Sequence, residues 1–209
     1  MTAATPLLIF PYNGNAVEAL DCIDATFEFI GFIDDTPAKQ GVDRHGYHVM
    51  SREMLLQFPD ASVLAVPGGP ASYRARKNVI AGLGLDERRF ATVIHPTASV
   101  SGRARIGRNV LIMAGVVITS NAQIGDHVCV LPNSVIHHDA VVGRWTMIGA
   151  NATVAGSVSI GENCYIASGS SIINDVVIGD AAMVGLGSNV IRDVSAESTV
   201  AGNPARELR

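Results

Sequence analysis

From Ile94 to Val190 every sixth residue is Ile or Val, 17 consecutive positions without a break. Six is a multiple of the two-residue period of a strand and not of the 3.6-residue period of a helix. The aliphatic residue therefore returns to one face of a strand and would drift around a helix. Four residues after each comes a mostly small side chain, as at Ala98, Ala104, Ala122, Ser134, Ala140, Ala152, Cys164 and Ser188. Gly often stands one residue after the aliphatic one, as at Gly107, Gly125, Gly143, Gly149, Gly161, Gly179 and Gly185. Each hexad thus reads as a short strand and a corner, with the branched residue inward. One coil buries little, so coils must stack on a shared core. A fixed six-residue period is the mark of a parallel β-helix.

Composition agrees. Hydrophobic residues make up 48% of the chain and aromatics 5%, so the core is aliphatic, as a narrow prism requires. The net charge of −4, with both signs interspersed, favours neither nucleic acid nor an anionic membrane. No apolar run approaches the roughly 18 residues of a membrane span, and no N-terminal stretch has the pattern of a secretion signal. Cys22, Cys129 and Cys164 lack paired or metal-site spacing. With Cys164 in an inward small-residue slot, a reducing, cytoplasmic location is expected.

Residues 1–92 read differently, as a small α/β domain ahead of the 93–209 β-helix. Strands are expected at 6–10, 27–33, 47–50, 62–66 and 91–94. Helices are expected at 16–22, capped by Asn15, at 52–58, capped by Ser51, and at 72–82, a basic stretch with Arg74, Arg76 and Lys77. Alternating strands and helices imply a Rossmann-like parallel sheet with ligands beyond the carboxyl ends of its strands. Those ends hold Asn13 and Gly14, Asp34 and Asp35, and Gly68. Two readings of Asp34-Asp35 stay open. An acid about 20 residues past the first turn can take ribose hydroxyls, or the pair simply begins a solvated turn.

With three hexads per coil, residues 18 apart stack about 4.8 Å above one another. His138, two past Ile136, then stands at a corner between Ser120 and Gly156, with Asp139 beside it. A neutral imidazole next to a Gly has room for a ligand and can take a proton from an amine or hydroxyl. Otherwise His137-His138 is a solvated corner without a task. His45, His48, His95 and His127 have no evident partner.

The run from Asn133 to Gly143, the hexads around it and the tail Ala201-Gly202-Asn203-Pro204-Ala205 resemble the hexapeptide-repeat acyltransferases. Over nearly its full length the chain is similar to the NeuD/PglD-like branch, which holds sialic acid O-acetyltransferases and nucleotide-amino-sugar N-acetyltransferases. The resemblance implies a left-handed β-helix, a homotrimer with active sites between neighbouring copies, acetyl-CoA as co-substrate and a nucleotide sugar as acceptor. It implies His138 as general base supported by Asp139. Ser168 and Gly185-Leu186-Gly187 would line the pantetheine path, with Pro204 near the adenine. Met147 stands where the family has a second His close to the cofactor. Pro11-Tyr12-Asn13-Gly14-Asn15 replaces a Gly-rich turn that cradles a diphosphate. N-acetylation in surface-glycan synthesis is the leading expectation, with O-acetylation the close alternative. A γ-type carbonic anhydrase would need three converging imidazoles, for which His127, His137 and His138 are the candidates. A scaffold without catalysis is the third class. No metal site is expected.

Overall fold

The computed structural model describes residues 3–208. The N-terminal unit carries a five-stranded sheet in the order β3-β4-β2-β1-β5. Its strands are β1 (Thr5–Phe10), β2 (Phe27–Ile33), β3 (Gly41–Val42), β4 (His48–Met50) and β5 (Ser62–Ala65). Pairing is parallel apart from the β3–β4 hairpin. Helices are short: α1 (Gly14–Glu18), which tightens into a 3-10 turn over Ala19–Cys22, α2 (Met54–Gln57) and α3 (Arg76–Ala81).

Two caps differ from expectation. Asn13, not Asn15, caps α1, its Oδ1 accepting from Ala16 N at 2.9 Å. Asn13 is the residue with extended backbone (φ −148°), the conformation a cap requires. Ser51 does not cap α2, which begins only after Glu53 and lacks a side-chain cap. The basic stretch expected to form one helix is a 3-10 turn over Tyr73–Ala75 followed by α3.

The chain then leaves the sheet beside β5, where Ala91 N donates to Val63 O at 2.9 Å, and enters the first coil at Val93–Ile94. From there two-residue strands stack in parallel in three faces, each strand paired with the one 18 residues on. The three faces and the hexapeptide period fit the left-handed β-helix. Every rung from Ile112 to Val190 is at most 3% exposed. Burying each such side chain contributes about 1.5–3 kcal/mol. Ile94 is exposed, and Val100 and Ile106 are only half-buried, because the first coil has no coil beneath it. The small residue four after each rung packs inside, Ala122, Ala140, Ala152 and Cys164 among them at 0% exposure.

From Asn109 to Gly187 the residue three after each rung turns the corner in the left-handed region. Asn109, Asn121, Asn133, Asp139, Asn151 and Asn163 hold φ between 53° and 63°, a conformation to which Asn and Asp are suited. His127 (φ 63°) and Trp145 (φ 61°) are bulky exceptions, and both lie on the edge covered by the N-terminal unit. That edge reads Asn109, His127, Trp145, Asn163, Ala181, one residue per coil, and it bonds to the N-terminal unit along its length. Asn109 pairs with both backbone groups of Ala65, at 2.7 and 2.8 Å. Asn163 Nδ2 donates to Arg74 O at 2.8 Å and Tyr73 Oη to Ala181 O at 3.0 Å. Arg76, 1% exposed, donates from Nε to Trp145 O at 2.8 Å, from Nη2 to His127 O at 2.6 Å, and from Nη1 to Pro67 O. A single apolar cluster also crosses the junction, joining Leu7, Ile9, Phe32 and Val66 to Leu111, Cys129, Met147 and Tyr165.

His127 is 2% exposed and receives Asn109 Nδ2 on its Nδ1 at 3.0 Å. Burial pushes its pKa down to about 4. Because the folded value lies below the unfolded one, this stability is complete above about pH 6.5 and is lost as pH falls toward 4. Between pH 7.5 and 5 the linkage removes about 2 kcal/mol. We expect the urea midpoint of the wild type to fall over that interval and His127→Gln to flatten the decline. An unchanged slope in the variant would show that another group carries it.

Candidate active site

His138 follows the buried rung Ile136, so the hexad places it at the corner between the face of Val135–Ile136 and the face of Val141–Val142. Its side chain is exposed, and the ring lies over Gly156 one coil on. A Cβ at Gly156 would stand 2.6 Å from both Cε1 and Nε2. The missing side chain at Gly156 is therefore the space the imidazole occupies. His138 Nδ1 is 2.8 Å from Asp139 Oδ2. Asp139 curls back to reach it because its own φ is +59°, where the corner turns. Its Oδ1 accepts from Asn121 Nδ2 at 3.0 Å. The hydrogen bonds from His138, first, and from Asn121 hold the Asp139 carboxyl below the usual carboxylate range. An ionised acceptor at Nδ1 favours the proton on that nitrogen and leaves a lone pair on Nε2, the state a general base needs.

The other expected residues divide. Ser168, Leu186 and Gly187 lie together along the next edge back, between the Tyr165–Ile166 face and the Ser171–Ile172 face. Leu186 is 76% exposed, and Gly187 N donates to Ser168 O at 3.0 Å. Ser168 Oγ accepts from Ala150 N at 3.1 Å. Gly185 is bare for a structural reason, since a Cβ there would meet Ala201 Cβ of the C-terminal hairpin at 2.9 Å. Met147 does not join this edge. It is 2% exposed, packed beneath the N-terminal unit, where a cofactor has no open surface to meet it.

At the sheet's carboxyl edge the ends of β1, β2 and β5 come together, but several side chains there already have tasks. Asn13 caps α1 and donates from Nδ2 to Val66 O at 3.1 Å. Asp34, 3% exposed, binds Lys39 Nζ at 2.9 Å and accepts from Thr36 N at 2.9 Å. Lys39 also donates to Tyr12 O at 3.0 Å, tying Asp34 to the first turn. Asp35 pairs with Arg52 at the surface. Gly68 (φ +104°) is bare because a Cβ would stand 2.8 Å from Arg76 Cγ. Gly14 alone is exposed with open space around it.

Sequence reasoning missed Asn121 and Arg76. The stacking interval that finds Ser120 for His138 also finds Asn121 for Asp139, so that signal was present. Nothing local marks Arg76 as buried. His127 lies on a different edge from His137 and His138. Among the described residues no group of three ligating side chains is placed to hold a metal ion. No helix among them is long and apolar enough to cross a membrane.

Comparison with known proteins gives two family matches within the coils: bacterial transferase hexapeptide (six repeats) over residues 121–156, and hexapeptide repeat of succinyl-transferase over 140–173. No curated protein matches the chain by sequence. Among solved structures, PerB from Caulobacter crescentus, in complex with CoA and GDP-perosamine, superposes with a TM-score of 0.85 at 25% identity, covering 100% of this chain and 99% of that one. The acetyltransferase domain of PglB from Neisseria gonorrhoeae, in complex with acetyl coenzyme A, gives 0.86 at 26% identity over 98% and 100%. WeeI from Acinetobacter baumannii gives 0.84 at 25% identity over 98% and 100%.

Proposed function

We propose that this chain, a member of the hexapeptide-repeat acyltransferases that use acyl-CoA, acetylates the amine of a nucleotide-linked sugar for a surface glycan in the cytoplasm. The observation that carries the reading is the His138–Asp139 pair at an exposed corner above a bare Gly156. Full-length likeness to proteins solved with CoA, acetyl coenzyme A and GDP-perosamine supports the choice of substrates.

In the proposed mechanism the acceptor enters as a neutral amine. His138 Nε2 takes its proton as the nitrogen attacks the thioester carbonyl. The negative charge of the tetrahedral intermediate is met by backbone N–H groups. The C–S bond then breaks, and the imidazolium returns its proton to the departing thiolate. Asp139 stabilises the charged imidazole throughout.

Residues 1–92 would carry the nucleotide sugar and 93–209 the acetyl-CoA. The N-terminal unit covers the face of Leu111–Ile112 and Met147–Ile148, whereas His138 stands on the edge opposite that face. The edge with Ser168 and Leu186 is different again. A complete site is therefore assembled between copies, and a homotrimer of parallel prisms does so with three equivalent sites. The diphosphate cannot rest on a Gly-rich cradle, so Gly14 is the open backbone position left for it.

The test is release of thiol from acetyl-CoA against UDP-, GDP- and dTDP-linked amino sugars and their hydroxyl counterparts. We expect release that depends on an amino acceptor. Release with hydroxyl sugars alone would make the chain an O-acetyltransferase, and release with none would overturn the reading.

A further inference from the structure

Asp139 is half exposed, yet both of its oxygens are held: Oδ2 by the base at 2.8 Å and Oδ1 by Asn121 Nδ2, from the coil beneath, at 3.0 Å. An exposed carboxylate with one tether changes rotamer within nanoseconds. A second tether from a rigid corner removes that freedom. Asn121 is itself fixed by its left-handed backbone (φ 63°), which aims the amide up the stack. The backbone joins the same two coils next to that bond, Asp139 N donating to Ser120 O, the residue before Asn121, at 3.1 Å.

We propose that Asn121 is a positioning residue for the transfer reaction, acting through Asp139 to keep His138 over Gly156 with Nε2 unprotonated. The proposal rests on the reading of His138 as base. Its geometry is that of the outer partners of reacting groups elsewhere, where orientation rather than contact with substrate is the contribution. Other groups on this edge are His137, Arg103 one coil below Asn121, and Asp175 two coils above Asp139, with neutral Ser157 one coil above Asp139 and neutral Asn174 beside Asp175.

Asn121→Gly and Asn121→Asp both tolerate the corner backbone, so the coil stays intact. Asn121→Gly is expected to lower kcat about tenfold with both KM values retained. Asn121→Asp sets a second negative charge beside the pair. It favours imidazolium, so the acidic limb of kcat/KM moves up by about one pH unit. Titration of the His138 ring nitrogens by NMR reads the same displacement without any acceptor. On an Asp139→Ala background, Asn121→Gly is expected to cost less than about twofold, because its route is gone. A tenfold loss persisting on that background overturns the proposal, as does a wild-type rate with an unmoved limb in the single variants. If His138→Ala keeps its activity, the base assignment itself has failed. If His138→Ala is inactive and Asn121→Gly is silent, only the role of Asn121 has failed.

Discussion

Replacing His138 by Ala is expected to lower kcat by about 10²–10⁴-fold, the range a general base contributes. The oligomeric state and the melting temperature should be retained. The side chain is 58% exposed and belongs to no buried cluster, so its removal leaves no cavity. The amine would then have to lose its proton to water, which is neither positioned nor basic enough. KM for acetyl-CoA should change little, since the proton is taken from the acceptor. Steady-state kinetics with the best amino-sugar nucleotide reads this directly. A rate near that of the wild type would rule out His138 as base.

The second large effect is on stability. Arg76→Ala removes a guanidinium that bonds three backbone carbonyls across the junction, those of Pro67, His127 and Trp145. The carbonyls are left buried without a donor, and a void replaces the stem that Gly68 was bare to admit. Each of the three orphaned carbonyls costs about 1–3 kcal/mol, so a loss of at least about 3 kcal/mol is expected. In a chain of 209 residues that lowers Tm by about 10 °C. Burial already pushes this guanidinium down to about 10, yet it stays charged at neutral pH. Arg76→Lys should recover only part of the loss, because one ammonium cannot reach three carbonyls in different directions. Thermal unfolding within about 1 kcal/mol of the wild type would show that the junction does not depend on Arg76.

These two residues mark how far the sequence could be read. The hexad period places His138 at a corner, because every strand of the β-helix is set by its own rung and its neighbour 18 residues away. Asn121 and Asp139 follow from the same arithmetic. The N-terminal unit has no such internal ruler. β2 appears where alternation puts it, at Phe27–Ile33, but caps shift to whichever residue has extended backbone, as Asn13 does in place of Asn15. Met147 and Arg76 lie deeper than their neighbours in the sequence suggest, for a common reason. Each looks locally like a residue on a surface, an outward strand position and a basic helix face. Docking of one unit on the other buries both, and no short-range pattern announces that contact. Asp34 likewise looks free until Lys39, five residues on, is folded against it.

A crystal structure of the protein with CoA tests the central claim most directly, through the distance from the CoA sulfur to His138. The account requires the sulfur within about 4 Å of Nε2, between two protomers. A sulfur bound at any other edge of the prism, beyond reach of every His138, would contradict it.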